Sequence, residues 1–501
     1  MDSTTTFYIS EQELAGVMSS ATEAYRKICN IHREHVDCNI VYPGAVSGSK
    51  LLNIEICALA LRNGHYEFAE EGDTPVYPSI PVKHDINFND WTFVVKNNCQ
   101  SSSDNPFYLF TINNPSLEIP VSKLDVDSGI LTSVTELNHG RKLLIAQDQH
   151  VWDRSSGVSY YRSDAILVID GHAQNKPIYP YNTPYTYLVA RYVDLDNYLE
   201  HITLNNLKFC RKRCSLYVTN FISVNYSNDV LFDNIKVSFY PSAGTLLCDS
   251  EHDFCFNIKN CTNVRFTYVN ITDTYSTTST YGYGVQMCTI WNAVFDECLF
   301  DAPWGVMGCR CINKMHLNGG QVNRVDIHSY GADIICKGVT FKSDVCPNKW
   351  NRFSSLFGML YFDNCTFDKF IPLAIDSANS IYSGFDVVLR DCTIVLPPQK
   401  SIVKMWSIAE PHTVYRPEMQ NICLQNFFMI NSTVSFGQSS NNTEVVIFDI
   451  SNAVQTAFDY ISMITIRMLD SQANQLTFRT SNQSLSFCHE VQKNATNCII
   501  N

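Results

Sequence analysis

Three polar residues at alternate positions are the strongest candidates for chemistry in this sequence. Arg324, Asp326 and His328 alternate with the apolar residues Val325 and Ile327. Residues two apart in a β-strand project from the same face, so the three side chains are predicted to point together into solvent. A carboxylate beside an imidazole can transfer protons, and a guanidinium can clamp an acidic group. An exposed strand face with ordinary charge pairing would give the same pattern.

A second carboxylate and several aromatic residues precede this strand. Asp301 lies 25 residues before Asp326, and one turn of a stacked-strand fold of that length brings the two within reach, because neighbouring strands lie ~4.8 Å apart. Glycosidases use two carboxylates separated by about 5 to 9.5 Å. A turn residue at a corner explains Asp301 equally well. Trp304, in a Pro-Trp-Gly corner, is predicted to stack on a sugar ring, with Tyr281 and Tyr283 extending that platform, although ordinary packing explains each aromatic separately.

Other classes of function have little support in the sequence. There is no nucleotide-binding loop, HExxH or GxSxG motif, and the formal charge of −13 argues against a nucleic-acid partner. The spacing of Cys29, His32, His35 and Cys38 resembles a zinc site. On a helix, however, steps of three residues rotate the first and last side chains apart, so a helix-to-loop transition is favoured. No cofactor and no metal are predicted.

The elements that must position the candidate residues are short strands that repeat. Period-2 apolar segments recur at about 20 to 35 residues, with Asn and Asp at the corners and no helices between them. Such a repeat indicates a solenoid, and the units are too short for propeller blades. The prediction is an all-β, right-handed parallel β-helix with Ile, Leu, Val, Phe and Cys facing inward. The main segments are residues 202–204, 230–232, 264–266, 293–295, 315–317, 339–341, 359–362, 387–389 and 422–424.

The chain divides into four predicted parts. Residues 1–39 form an arm and an amphipathic helix that starts at a Ser10/Glu13 capping box. Residues 40–198 form the opening coils with a flanking or inserted subdomain, residues 199–426 the main β-helix, and residues 427–501 the terminal coils or a small C-terminal β cap. No secretory signal and no apolar run of membrane-spanning length is present, so neither export by a signal peptide nor a membrane partner is predicted.

The 20 cysteines are scattered along the chain rather than set in a compact framework. Many occupy strand-like positions, among them Cys261, Cys298, Cys336, Cys365 and Cys392. A free cysteine packs as a small hydrophobic residue. We therefore expect internal thiols that fill the core rather than disulfides.

One longer motif carries a family resemblance. Trp304-Gly305-Val306-Met307-Gly308, followed by Asn323-Arg324-Val325-Asp326-Ile327-His328 and then Gly331, resembles a WGVxG…(S/N)RxDxH…G signature. That signature occurs in pectate-lyase-like β-helix proteins of bacteriophage tailspikes and gut bacteria, and the likeness covers roughly residues 40–345. The sequence departs from it at Ser329-Tyr330, which adds a residue before Gly331 and predicts a shifted corner after His328.

The resemblance implies a function on bacterial surfaces. It implies a homotrimeric virion tail protein that recognises its host and hydrolyses a surface polysaccharide such as capsule, colanic acid or O-antigen, with the N-terminal region available for attachment to the tail or baseplate. By position it points to Arg324, Asp326 and His328, and it adds Tyr330 to the substrate-binding set. Two alternatives stay open: a non-catalytic glycan receptor-binding protein, and a polysaccharide lyase with a Lys or Arg base and often calcium.

Overall fold

The structure is a computed structural model of the 501-residue chain. It describes residues 5–15, 21–56, 59–62, 65–68, 79–97, 107–120, 124–155, 158–178, 188–198, 201–212, 219–240, 253–272, 282–301, 305–343, 349–353, 356–376, 382–397, 401–406, 421–436, 445–450, 464–469, 476–480 and 489–490.

Two short helices lie near the N-terminus and strands make up most of the rest. The helices are α1 (Glu11–Ala15) and α2 (Ala21–Glu34). The first strands are β1 (Thr6–Tyr8), β2 (Asn39–Val41), β3 (Leu51–Ile56), β4 (Leu59–Arg62), β5 (His65–Phe68), β6 (Ile80–Pro81), β7 (Ile86–Asn97) and β8 (Phe107–Asn113). They are followed by β9 (Leu117–Ile119), β10 (Arg141–Ser155), β11 (Val158–Ile169), β12 (His172–Ala173) and β13 (Leu188–Asp194), with 3-10 turns at Thr135–Leu137 and Leu195–Asn197.

The remaining strands continue to the end of the described chain. They are β14 (Ile202–Lys212), β15 (Thr219–Asn225), β16 (Asn228–Tyr240), β17 (Asp253–Thr267), β18 (Asn270–Ile271), β19 (Gly282–Asp296), β20 (Leu299–Phe300), β21 (Gly305–Asn318), β22 (Gln321–Val322), β23 (Val325–Lys337), β24 (Thr340–Phe341), β25 (Trp350–Phe353), β26 (Leu356–Asp363), β27 (Thr366–Asp368), β28 (Ile371–Asp376), β29 (Tyr382–Arg390), β30 (Thr393–Leu396), β31 (Ser401–Trp406), β32 (Asn421–Ile430), β33 (Thr433–Phe436), β34 (Val445–Ile450), β35 (Ile464–Leu469), β36 (Leu476–Thr480) and β37 (His489–Glu490).

Successive coils stack these strands in parallel, which confirms the predicted β-helix. β14, β16, β17, β19, β21, β23, β26, β29 and β32 pair one after another along one face. Alternate residues such as Val264 and Phe266 are fully buried in one continuous core. Phe266 stacks on Phe295 of the next coil at 4.7 Å between ring centroids. The inward ladders are therefore built from the apolar residues that the pattern predicted.

The predicted strand segments do not all lie on one face of the β-helix. The residue above Met315 is Ile334, whereas Thr340 of the predicted segment 339–341 pairs with Gln321 on another face. On β32, Val387 of β29 pairs with Phe427, three residues beyond the end of the predicted segment 422–424, which pairs with an earlier part of β29. Each coil holds more than one apolar strand, so spacing alone does not say which strand continues a given ladder.

A left-handed backbone residue marks one corner of many coils. Glu297, Asn364, Asp391 and Asn431 have φ values of 50°, 51°, 53° and 44°. Asn and Asp tolerate this conformation better than other residues that carry a Cβ. The next residue in each case is small and buried: Cys298, Cys365, Cys392 and Ser432. The Asn and Asp residues that separate apolar segments in the sequence thus form the corners of the coil.

The buried thiols stack behind these corners as core residues. Cys261, Cys298, Cys336, Cys365 and Cys392 are all free and buried, as predicted. The Cys392 thiol donates to the Arg390 carbonyl at 3.3 Å, and the Ser432 hydroxyl donates to the Ile430 carbonyl at 2.9 Å at the equivalent corner. Burial raises the pKa of the Cys298 thiol to about 12.

The N-terminal helices pack against the first coils. The Ser10 hydroxyl accepts from the Glu13 amide at 3.1 Å while the Glu13 carboxylate accepts from the Ser10 amide at 2.7 Å, which is the predicted capping box. Tyr25 and Ile28 of α2 are buried in the β-helix core. No helix in the described residues is long and apolar enough to cross a membrane.

Strands β9 to β13 form a separate antiparallel sheet. It lies in sequence between β8 and β14, which belong to the β-helix. The Ser163 amide of β11 donates to the Cys311 sulfur at 3.3 Å, and the Ser163 hydroxyl shares a hydrogen bond with Thr289. The inserted sheet therefore rests on the coils that carry β19 and β21. At the other end, β34 to β37 continue the parallel pairing.

Candidate functional site

One outward face of the β-helix is polar over several coils. Asn257, Gln286, Gly308, Asp326 and Arg352 stand directly above one another on strands β17, β19, β21, β23 and β25. The residues that alternate with them, such as Phe256, Val285 and Ile327, lie in the core. The column is thus an outer surface of the coil, and it carries the predicted carboxylate Asp326.

Asp326 is held by two of the other predicted site residues. Its Oδ2 atom accepts hydrogen bonds from Tyr283 Oη at 2.8 Å and from Arg324 Nη2 at 2.6 Å. Tyr283 lies on β19, two strands from Asp326 on β23. On the intervening strand β21, Gly305 pairs with Tyr283 and Gly308 pairs with Asp326. Because glycine has no side chain, the phenol can cross that strand. The structure thus joins Tyr283, Arg324 and Asp326 in one cluster.

Two further residues of this cluster were missed in the sequence. Arg352 pairs directly with Asp326, and its Nε lies 4.0 Å from Asp326 Oδ1. The guanidinium carbon of Arg324 lies 5.9 Å from the centre of the Trp350 ring, a cation–π distance. Both residues belong to the short strand β25 and are half-buried. Arg352 follows Asp326 by one coil, so a correct register would have revealed it.

The expectation that Arg324 and Asp326 point into solvent is wrong. Arg324 is 2% exposed and Asp326 is 0% exposed, so the pair is buried on the outer side of the strand. A buried carboxylate that accepts from a guanidinium is favoured in its charged form. Burial, with the Asp326 charge second, raises the pKa of Tyr283 well above its usual range, so Tyr283 remains a hydrogen-bond donor. This arrangement suits Asp326 as a nucleophile, a base or an anchor rather than as a proton donor.

The third residue of the predicted trio lies at a bulge. Ile327 pairs with Cys309 while Ser329 pairs with Arg310, so His328 is the additional residue. The strict alternation that would align His328 with Asp326 is interrupted there. The side chain of His328 lies outside the described residues, as do Trp304 and Tyr281 entirely.

The remaining predicted residues lie elsewhere. Asp301 follows β20, and its Oδ1 accepts from the Ser343 hydroxyl at 3.2 Å; the described contacts do not join it to Asp326. Tyr330 is 2% exposed and has φ 58°. It packs with Cys311 and with Ile178, which follows β12. Tyr330 is therefore buried, and its assignment to the substrate-binding set stays a prediction.

A second tyrosine bridge lies further along the same face. The Asn257 Nδ2 atom donates to Tyr108 Oη at 2.7 Å. Tyr108 pairs with Asn220 on β15, and β15 in turn pairs with β17, the strand of Asn257. Tyr108 thus crosses one strand to reach Asn257, as Tyr283 does to reach Asp326. This site could not be predicted from the sequence, because asparagines also form the coil corners.

The described residues contain no group of three His, Cys, Asp or Glu side chains arranged for a metal ion. Within the zinc-like spacing, the His32 Nε2 atom shares a 2.9 Å hydrogen bond with Tyr42 Oη. Burial lowers the pKa of His32 to about 3. The ring of His35 instead stacks on Phe7 at 3.4 Å. These contacts belong to the packing of α2 on the first coils.

Comparison with known proteins identifies solved structures with a similar fold. No protein-family model and no curated protein matches the sequence. The tailspike protein gp49 of Pseudomonas phage LKA1 matches with a TM-score of 0.50 at 12% identity, over 80% of this chain and 68% of that one. A second match is the Gp54 tailspike of Acinetobacter baumannii bacteriophage AP22, solved in complex with A. baumannii capsular saccharide. Its TM-score is 0.53 at 9% identity, over 96% of this chain and 73% of that one. The chain is a parallel β-helix protein whose fold is similar to that of phage tailspikes.

Proposed function

We propose that this chain is a virion tailspike-type protein that binds a bacterial surface polysaccharide and hydrolyses its glycosidic bonds. The observation that carries the proposal is the cluster of Tyr283, Arg324, Asp326 and Arg352 on a polar outer face of the β-helix. The fold is similar to that of a tailspike solved with capsular saccharide. Capsule, colanic acid and O-antigen are the candidate substrates.

The proposed chemistry follows from the charge state of the cluster. Asp326, kept ionised by Arg324, serves as nucleophile or base, and Asp301 is the candidate second carboxylate. Hydrolysis with retention or inversion requires two carboxyl groups about 5 to 9.5 Å apart. His328 is proposed to carry protons, and Trp304 and Tyr281 to stack on sugar rings.

A second candidate function is glycan binding without cleavage, for host recognition. The burial of Asp326, with 0% exposure, favours it. A nucleophile must contact the substrate, whereas a carboxylate that only fixes Arg324 and Tyr283 can remain covered. In that case the cluster would shape the binding face and do no chemistry.

Cleavage assays on purified capsules, colanic acid and O-antigens separate these functions. Release of reducing ends without ultraviolet absorbance indicates hydrolysis, release with absorbance a lyase, and binding without release a receptor-binding protein. Asp326→Asn keeps the shape of the side chain and is expected to lower hydrolysis at least 100-fold, since it removes the proposed nucleophile or base. Asp363→Asn, on another face, is the control, and circular dichroism checks folding. Wild-type cleavage by Asp326→Asn would exclude the assigned site.

The proposed assembly is a homotrimer, with the N-terminal region attached to the tail or baseplate. An outward column on a different face supports self-association. Leu231, Val294, Ile335, Tyr361 and Val388 are half-buried apolar residues on the outer side of successive coils, with Arg265 and His316 between them in register. An apolar centre within a polar rim is typical of protein interfaces. A second copy of the chain presents the same column of residues with the same ~4.8 Å spacing between strands, so the two columns match in spacing.

Light scattering after size-exclusion chromatography tests this assembly. The wild type is expected to have three times the mass of one chain. Ile335→Glu buries a charge in the proposed interface and is expected to give mainly single chains at micromolar concentration. Lys208→Glu changes an exposed residue elsewhere and should leave the mass unchanged. A monomeric wild type would exclude the proposal.

A further inference from the structure

Two buried asparagine side chains on the polar face lack the hydrogen bonds that burial normally requires. Asn220 is 1% exposed, and within the described chain neither its Oδ1 nor its Nδ2 has a partner. Asn257 is 6% exposed; its Nδ2 donates to Tyr108, while its Oδ1 has no partner. A buried amide without partners costs free energy, so native proteins rarely keep one without a reason.

Tyr108 is paired with one of these asparagines and hydrogen-bonded to the other. It pairs directly with Asn220, and its hydroxyl reaches across that strand to Asn257. The ring of Tyr108 is 8% exposed. The atoms without a partner are Nδ2 and Oδ1 of Asn220 and Oδ1 of Asn257, the two residues that Tyr108 adjoins. None of the three described side chains is a carboxylate or a guanidinium.

One member of the cluster, Asn257, lies on the same column as the proposed catalytic residue. From Asn257 the column runs through Gln286 and Gly308 to Asp326, which is three strand steps. At ~4.8 Å per step, the two sites lie about 14 Å apart along the helix axis. A polysaccharide lying along this face would meet both.

We propose that Tyr108, Asn220 and Asn257 form a subsite that takes a hydroxyl group of an uncharged sugar unit. A hydroxyl donates one hydrogen bond and accepts two, which matches the acceptors and donors that the two amides leave open. The low exposure of both side chains limits the subsite to one inserted hydroxyl rather than the face of a ring. The inference rests on the proposed polysaccharide binding and adds the chemical class of the unit bound away from Asp326.

The thermal stability of the ligand-free protein gives a test that needs no substrate. Asn220→Leu removes two unsatisfied groups, so the midpoint of thermal unfolding is expected to rise by roughly 1–4 °C. Asn351 is the matched control because it is also fully buried, but its Oδ1 accepts from the Val325 amide and its Nδ2 donates to the Pro372 carbonyl. Asn351→Leu should therefore lower the midpoint. A lower midpoint for Asn220→Leu as well would mean that an ordered water only completes the site, and would overturn the proposal.

Binding of the polysaccharide identified in the cleavage assays gives the second test. Asn220→Leu and the smaller Asn220→Ala, each checked for a wild-type circular dichroism spectrum, are expected to weaken equilibrium binding about tenfold or more. Folded variants with unchanged affinity would overturn the subsite while leaving the proposed function intact. If no polysaccharide binds the wild type, the proposed function fails, and the stability test decides whether the amides are poised for a ligand or completed by water.

Discussion

Tyr108 and Tyr283 make the same bridge at two places on the polar face, and the two bridges end on different chemistry. Each tyrosine crosses one strand to a residue of the same outward column. The Tyr108 bridge ends on the neutral amide of Asn257, beside the open groups of Asn220. The Tyr283 bridge ends on the carboxylate of Asp326, which a buried guanidinium also contacts.

The difference separates two uses of a buried polar group. At the Tyr283 bridge the protein supplies strong, charge-assisted partners, which hold the geometry of the cluster. At the Tyr108 bridge part of the hydrogen-bonding capacity is left for another molecule, at a cost to the unliganded fold. Matched substitutions at the two bridges should therefore have unequal effects.

Alanine at the far end of each bridge should give the largest contrast. Asp326→Ala leaves Arg324 buried without its carboxylate and is expected to reduce the free energy of unfolding by about 3–5 kcal/mol. Asn257→Ala removes an amide whose oxygen has no partner, and it should change the free energy of unfolding by about 1 kcal/mol or less. Asp363→Ala, which breaks an exposed pair with Arg390, should also cost about 1 kcal/mol or less. Denaturant titration measures all three, and equal losses at Asp326 and Asn257 would remove the distinction.

Phenylalanine at each tyrosine should give a smaller contrast. Tyr283→Phe removes a bond to a charged group and is expected to cost about 1.5–3 kcal/mol, against about 1 kcal/mol for Tyr108→Phe. Because the folded state raises the pKa of Tyr283, an unfolded chain loses this proton near pH 10 while the folded protein keeps it. Stability contributed by the neutral phenol is then lost above pH 10, by about 1.4 kcal/mol per pH unit. Denaturant titrations at pH 8 and 10.5 should show a weaker alkaline loss in Tyr283→Phe than in the wild type.

Local patterns predicted much of this architecture. Period-2 segments, corner asparagines and scattered cysteines together predicted the β-helix and its thiol-filled core, because each reflects an alternation within a single strand. The partners of Asp326 could be predicted only in part. Its contact with Arg324 follows from alternation, but Arg352 and Tyr283 come from other coils whose lengths differ. The outward direction of the Arg324 and Asp326 side chains was predicted, but their burial was not. Alternation shows which side of a strand a residue faces and says nothing about what covers that side.

The corner geometry described above also bears on how such a chain can change. Met315 and Ile334 are 19 residues apart, whereas Val387 and Phe427 are 40 residues apart, yet each pair sits in register. A fixed strand frame therefore accepts loops of very different length between strands, and the antiparallel sheet of β9 to β13 is the extreme case. Loops and inserted segments between the strands can therefore be exchanged while the strand pairing is kept. A shift of one residue in the register of a strand, in contrast, would turn its core residues outward.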